Sequence, residues 1–134
     1  MRKPQSKKKA QRKPVNKVQE RRKHPRINKK LPLKVKAGSF DLVTETKDIS
    51  LSGAYCQVDK FIQPMTKVGL LLLLPLRLKN DKIATRKLNL EGVIVRAEQV
   101  KDREGKFNIA IFFNNMKEKD KVNLNHYIQS HIKP

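Results

Sequence analysis

From residue 31 onward, hydrophobic and polar residues alternate with a period of two over several short stretches. Leu31, Leu33 and Val35 alternate with a proline and lysines, and residues 40–46 continue the pattern after an Ala-Gly-Ser turn. Residues 54–58 resume it with aromatic and β-branched side chains. Alternation of this kind is typical of strands with one buried face, so each of these stretches is predicted to be a β-strand.

The following region predicts further strands that are more apolar. Val68–Leu74 is almost continuously apolar, which favours burial on both faces or a place in a closed sheet. Residues 88–95 form the next predicted strand, in which Gly92 indicates a bulge or a sharp bend. The last predicted strand, residues 107–113, follows a hairpin loop at residues 102–106.

Near the C-terminus the pattern changes to that of a helix. Leu124, Tyr127, Ile128 and Ile132 recur at helical spacing within residues 117–132, so we predict a helix whose apolar face packs against the strands. Short antiparallel strands separated by turn signals favour a small barrel. The predicted fold class is therefore all-β with a C-terminal helix.

The first 19 residues have a different composition. Residues 1–19 consist mainly of Lys, Arg, Gln, Pro and Ser, and such a segment buries too little apolar surface to offset its ordering entropy. We expect a disordered basic tail. The whole chain has a formal net charge of +20, and the tail can attract polyanions such as nucleic acid, anionic lipid or an acidic protein face. A solubilising extension without a target is the simpler alternative.

Several classes of protein are not expected. The single cysteine, Cys56, excludes an intrachain disulfide. No secretory signal follows Met1, and the longest apolar run, Val68–Leu76, is too short to span a bilayer, so we expect a cytoplasmic protein. His126 and His131 have no partners at metal-ligand spacing, and no serine has a suitably spaced base, so neither a metal site nor catalysis is expected.

Two motifs stand where the basic tail meets the strands. Arg22 and Arg26 can present two planar donor forks to one anionic, planar ligand. Asp48, Ser50 and Gly53 supply a carboxylate acceptor, a hydroxyl, and a glycine at which backbone can turn or approach closely.

Together these motifs resemble the PilZ domain, whose signature is Arg-x-x-x-Arg followed by Asp/Asn-x-Ser-x-x-Gly. The resemblance covers the chain from Glu20 onward and implies a six-stranded antiparallel barrel with a C-terminal helix. One departure lies in the last strand, where family members often carry glycines and this chain has Asn108 and Ala110. The expected organisation is a tail at 1–19 and a PilZ domain at 20–134, divided into an arginine segment at 20–30, a barrel at 31–113 and a helix at 117–132.

The resemblance implies a receptor for the bacterial second messenger cyclic di-GMP rather than an enzyme. Guanine presents O6 and N7 side by side, and phosphate presents paired oxygens, so both suit the forks of Arg22 and Arg26. Asp48 is expected to accept from guanine N–H groups or to hold an arginine, and Ser50 to donate to a phosphate or a base. Gly53 is expected to provide the backbone geometry.

Arg21 directly precedes the motif and adds a third cation. A second, stacked dinucleotide would bring two more phosphates, which Arg21 would help to neutralise. An intercalated ligand dimer is therefore expected, although Arg21 is equally compatible with being one more tail charge.

The expected function is the relay of a ligand signal to an effector protein in motility, surface polysaccharide, adhesion or transcription control. Ligand would draw residues 21–26 onto the barrel near residues 48–53, order the N-terminal segment, and present a new surface. Two alternatives stay open: a PilZ-fold adaptor that needs no ligand, and a basic small barrel that binds nucleic acid. The low aromatic content, 5%, does not favour the second alternative.

Overall fold

The computed structural model describes residues 24–132. Within this range, six antiparallel strands close into a barrel in the order β1-β2-β3-β6-β5-β4, and a helix follows them. The predicted six-stranded barrel with a C-terminal helix is therefore confirmed. The elements are β1 (Pro32–Ala37), β2 (Phe40–Ile49), β3 (Gly53–Val58), β4 (Lys67–Arg77), β5 (Ile83–Gln99), β6 (Phe107–Asn115) and α1 (Glu118–Ser130). The predicted tail, residues 1–19, lies outside the described residues.

The alternating residues of each strand build one core inside the barrel. Leu33 and Val35 of β1 are buried, and so are Cys56 of β3 and Leu72 of β4. In β4 the buried positions alternate with half-buried ones, so its leucine run reflects a closed sheet rather than burial on both faces. Cys56 is a free, fully buried thiol.

The helix adds its apolar face to the same core. Leu124, Tyr127 and Ile128 are buried, and α1 contacts β4. The predicted helix was too long at both ends, because Lys117 is the N-cap and the helix ends at Ser130. Ile132 lies beyond that end and is 41% exposed, so its predicted place on the packed face is wrong.

Strand β5 carries the bend that Gly92 predicted. Its pairing with β6 changes register between Glu91 and Gly92 and again between Ile94 and Arg96. A Cβ atom at Gly92 would lie 2.9 Å from the carbonyl oxygen of Phe112, so only glycine allows this close approach. No helix within residues 24–132 is long and apolar enough to cross a membrane.

Candidate functional site

The chain that leads into β1 is attached to the end of β2 by backbone pairing. The N–H group of Ile27 donates to the carbonyl oxygen of Ile49 at 3.0 Å. The N–H group of Ile49 donates in turn to the carbonyl oxygen of Ile27, also at 3.0 Å. Both side chains are buried. This pair brings the second arginine of the first motif, Arg26, beside the first residues of the second motif.

Thr46 provides a second attachment point for the same segment. Its hydroxyl donates to the carbonyl oxygen of Lys29 at 2.5 Å and accepts from the N–H group of Leu31 at 2.9 Å. The N–H group of Thr46 also donates to the carbonyl oxygen of Leu31 at 2.9 Å, and the residue is 1% exposed. Residues 27–31 are thus held against β2 by side-chain and backbone bonds, which the sequence pattern did not predict.

A bulge at Lys47 decides which way Asp48 points. Thr46 pairs with Cys56 and Asp48 pairs with Tyr55, so the register of β2 against β3 shifts between Thr46 and Asp48. In regular alternation Asp48 would share the inner face with buried Thr46. The extra residue changes the phase, so Ile49 enters the core and Asp48 lies on the outside of the barrel.

Arg26 and Asp48 form an ion pair on this outer surface. Arg26 Nη1 lies 3.4 Å from Asp48 Oδ1. The side chain of Arg26 is 65% exposed and that of Asp48 is 19% exposed. A guanidinium has five N–H donors, so this single contact leaves most of the donors of Arg26 available to a ligand.

Ser50 lies inside the turn that joins β2 to β3. It is 1% exposed, and its Oγ atom accepts from the N–H group of Ser52 at 3.1 Å. The two serine hydroxyls lie 3.1 Å apart, and the N–H group of Ser50 donates to the carbonyl oxygen of Gly53 at 2.8 Å. The hydroxyl of Ser50 therefore stabilises this turn, residues 50–53, which we call the motif turn. Its predicted contact with ligand stays a prediction.

Gly53 is needed where β3 meets β6. A Cβ atom on this residue would overlap the backbone carbonyl oxygen of Ile111. Gly53 pairs with Phe112, and the N–H group of Phe113 donates to the carbonyl oxygen of Ser52 at 2.9 Å. The absent side chain thus lets the motif turn close against β6.

Beyond Asp48, an outward-facing row of four residues crosses four neighbouring strands. Asp48 of β2 pairs with Tyr55 of β3, Tyr55 pairs with Ala110 of β6, and Ala110 pairs with Arg96 of β5. We call these residues the outer row. Strand spacing makes it roughly 14 Å long. It offers a carboxylate, an aromatic ring, a small methyl group and a guanidinium in sequence.

The structure brings together four of the six predicted site residues. Arg26 and Asp48 form the ion pair, and Ser50 and Gly53 shape the adjoining turn. The other two, Arg21 and Arg22, lie outside the described residues.

Sequence reasoning missed Thr46 and Tyr55. Alternation in β3 was sufficient to place Tyr55 on the outer face, whereas nothing in the sequence indicated the bonds of Thr46 to Lys29 and Leu31. Among residues 24–132, no group of three His, Cys, Asp or Glu residues is arranged to hold a metal ion.

These features place the candidate site on the rim and outer face of a closed barrel. The family model of the PilZ domain matches residues 20–130. The chain belongs to the PilZ domain family, a family of cyclic di-GMP receptors whose members are ligand-binding or adaptor proteins and not enzymes. A comparison with curated proteins gave no significant match.

Solved structures with the same fold include an inhibitor of motility and two PilZ domains. The Bacillus subtilis inhibitor of motility (MotI/DgrA) is 17% identical with a TM-score of 0.67, covering 83% of this chain and 51% of that chain. The PilZ domain of CeSA from a cellulose-synthesizing bacterium is 19% identical with a TM-score of 0.52, and the match covers 79% of this chain and 96% of that chain. The PilZ domain of YcgR from Escherichia coli, solved with cyclic di-GMP, is 15% identical with a TM-score of 0.55, covering 82% and 90%.

At identities this low, the three matches show that the fold is shared and nothing more. The chain spans about half the length of MotI/DgrA.

Proposed function

We propose that this protein is a cyclic di-GMP receptor that binds the dinucleotide on the rim and outer row of the barrel. The observation that carries the proposal is the exposed guanidinium of Arg26, which lies 3.4 Å from Asp48 at one end of the outer row. The PilZ family is a family of such receptors, and the similar domain of YcgR was solved with this ligand.

The two arginines of the first motif divide the anionic and planar parts of the ligand. Arg26 has free donors beside Asp48, and it contacts a phosphate or the Hoogsteen edge of a guanine. Arg22 takes the other of these two partners. Asp48 accepts from guanine N–H groups while it orients Arg26. Arg21 caps a second, intercalated ligand.

The outer row receives a base. The ring of Tyr55, directly across from Asp48, stacks on a guanine, and the small side chain of Ala110 leaves room for the base to lie flat. Arg96, at the far end, faces the second phosphate or base. Ser50 and Gly53 act by shaping the motif turn. The hydroxyl of Ser50 contacts ligand only if it gives up its hydrogen bond within the turn.

Ligand binding is relayed through the N-terminal segment. Residues 27–31 are already docked on β2, so the chain before Arg26 emerges beside the site. A ligand held between Arg22 and Asp48 draws this preceding chain onto the barrel and presents a new surface to an effector protein. One structural relative is an inhibitor of motility and another is the PilZ domain of CeSA from a cellulose-synthesizing bacterium, and we place the effector in motility or surface polysaccharide control on that basis.

Isothermal titration of the full chain with cyclic di-GMP tests the proposal, with GTP as the competing nucleotide. We expect selective, saturable binding, with two ligands per chain if Arg21 caps a dimer. Arg26→Ala should weaken binding roughly 30-fold or more without unfolding the barrel. Arg103→Ala is the matched control, because the exposed guanidinium of this arginine donates to Gln57 Oε1, at 3.5 Å, in the loop between β5 and β6 and not beside either motif. Equal affinities of the two variants would overturn the site.

An adaptor that needs no ligand is the second candidate function. Phe112 and Val95, on β6 and β5, are 48% and 52% exposed, and Phe112 pairs with Gly53 of the motif turn. Exposed apolar side chains of this kind favour contact with a protein. The adaptor reading predicts no heat with cyclic di-GMP at any concentration, which distinguishes it from the receptor.

A further inference from the structure

The β4–β5 hairpin continues past the strand pairing that closes the barrel as a two-stranded ribbon, whose base packs on the core through the buried Leu74 and Leu88. Pairing between β4 and β1 ends at Leu72, whereas pairing between β4 and β5 continues to Arg77 and Ile83. The pairing of β5 with β6 begins only at Glu91. Among the described residues, those at 73–77 and 83–90 therefore have strand partners on one side only.

The tip of this ribbon is ordered by its own hydrogen bonds. The N–H group of Leu78 donates to the carbonyl oxygen of Lys82 at 2.7 Å, and that of Asp81 donates to the carbonyl oxygen of Leu78 at 3.0 Å. Asn80 Oδ1 accepts from the N–H group of Lys82 at 3.2 Å. The side chains of the tip therefore project from a hydrogen-bonded turn at residues 78–82.

The tip is strongly basic. Residues 77–87 contain a single acid, Asp81, among their Lys and Arg residues. Asp81 lies 3.7 Å from Arg77 in an exposed ion pair. The positive positions between 77 and 87 are Arg77, Lys79, Lys82, Arg86 and Lys87, and each is exposed. Such a cluster attracts phosphate-rich surfaces.

Aliphatic side chains project among these cations. Leu78 is 42% exposed and Ile83 is 64% exposed. Residues 73–87 contain no aromatic side chain, so the ribbon has no platform for stacking nucleic-acid bases. Cations mixed with exposed aliphatic groups suit the boundary between lipid headgroups and acyl chains.

We propose that the tip of the β4–β5 ribbon binds an anionic lipid surface. The lysines and arginines contact lipid phosphates, while Leu78 and Ile83 enter the boundary below them. This site is separate from the proposed nucleotide site, because it is built from residues 77–87, which carry neither motif. It adds a structured basic surface to a chain whose first 19 residues are also basic in composition.

Flotation with vesicles tests the proposal on the full chain at physiological ionic strength. The vesicles contain phosphatidylcholine alone or with roughly 30% phosphatidylglycerol. The test variant is Lys79→Gln/Lys82→Gln, and the control is Lys101→Gln/Lys106→Gln in the β5–β6 loop. Both variants lose the same charge and keep the same tail. Each cation near the surface strengthens binding about fivefold, so the tip variant should lose on the order of 25-fold.

A second pair of variants tests the aliphatic contact. Ile83→Ser should weaken binding to anionic vesicles severalfold, whereas Val43→Ser should not, although Val43 is 80% exposed on β2. Circular dichroism checks that every variant keeps the barrel. Equal losses in the tip and loop lysine variants, or equal binding of both serine variants, would overturn the proposal. So would a tip-specific loss seen with RNA or duplex DNA but not with vesicles.

Discussion

Asp48 lies directly across from Tyr55 on the outside of the barrel, because β2 carries an extra residue at Lys47. Without that bulge the carboxylate would share the inner face with Thr46, which is 1% exposed. A buried carboxylate without a partner is costly, and it could not meet a ligand. One irregular residue therefore places the Asp48 carboxylate on the outer surface of the barrel.

Asp48→Asn separates a role in binding from a role in stability. Exposed ion pairs contribute little, so the free energy of unfolding should change by about 0.5 kcal/mol or less. Affinity for cyclic di-GMP should fall on the order of 10-fold or more, because an acceptor-only carboxylate becomes a partial donor. Urea unfolding and calorimetric titration measure the two effects.

The matched control for that variant is Asp41→Asn. Asp41 also forms an ion pair on β2, with Lys34 at 3.9 Å, although its side chain is more exposed than that of Asp48, and it lies away from the motif. It should leave both quantities unchanged. Equal loss of affinity in the two variants would mean that general charge, rather than the site, governs binding.

Gly53→Ala should destabilise the domain, because the new methyl group overlaps the backbone carbonyl of Ile111. Overpacking against backbone costs about 1–3 kcal/mol or more. Gly69→Ala is the control, since a Cβ atom there meets only Lys36 side-chain atoms, the nearest at 3.7 Å. Thermal unfolding of both variants tests the difference, and similar melting temperatures would refute the proposed reason for this glycine.

Thr46→Val removes the hydroxyl that holds residues 29–31 and keeps the shape of the side chain. The buried N–H group of Leu31 loses its acceptor, which should cost about 1–3 kcal/mol. Thr85→Val, at an exposed position on β5, should have little effect. Hydrogen exchange at the Leu31 amide should accelerate only in the first variant. Unchanged protection there would show that backbone pairing alone holds the segment.

Ala110→Leu tests whether the outer row receives a base. A leucine between Tyr55 and Arg96 should obstruct the flat position and weaken cyclic di-GMP binding on the order of 10-fold, by analogy with the cost of overfilling a fitted space. Asn89→Leu, an exposed position elsewhere on β5, is the control. Calorimetric titration compares them, and full affinity in Ala110→Leu would remove the row from the binding site.

Cys56 makes stability depend on pH in the alkaline range. Burial, opposed by the nearby charge of Lys47, raises the pKa of this thiol from 9.0 to about 12. The unfolded chain loses the proton from about pH 9, while the folded protein keeps it. The contribution of the Cys56 thiol to the free energy of unfolding is therefore present below about pH 9. It falls by about 1.4 kcal/mol per pH unit between roughly pH 9 and 12.

Urea unfolding at pH 7, 9 and 10.5 measures this slope in the natural protein and in Cys56→Ala. The variant should lack the thiol component while it retains the titration of the lysines. Identical slopes would contradict the prediction. The native thiol should also resist alkylation at pH 8, because only the thiolate reacts and the side chain is fully buried.

The strands were predictable where local alternation reports burial directly, and less so at their ends. Residues 88–95 were predicted as a strand, and β5 runs from Ile83 to Gln99. Strand β4 continues through Pro75 to Arg77, although proline usually ends a strand. It is tolerated because this part of β4 lies beyond the pairing with β1, on an edge that has no strand partner among residues 24–132.

The sequence by itself determined the barrel, the helix and the two motifs, because each depends on residue types at short, regular spacing. Tertiary structure decided how the motifs meet. The pairing of Ile27 with Ile49, the bonds of Thr46 and the approach of Gly53 to Ile111 join residues that are distant in the chain. The bulge at Lys47 depends on pairing with β3, and by shifting the phase of alternation it sets the side on which Asp48 lies.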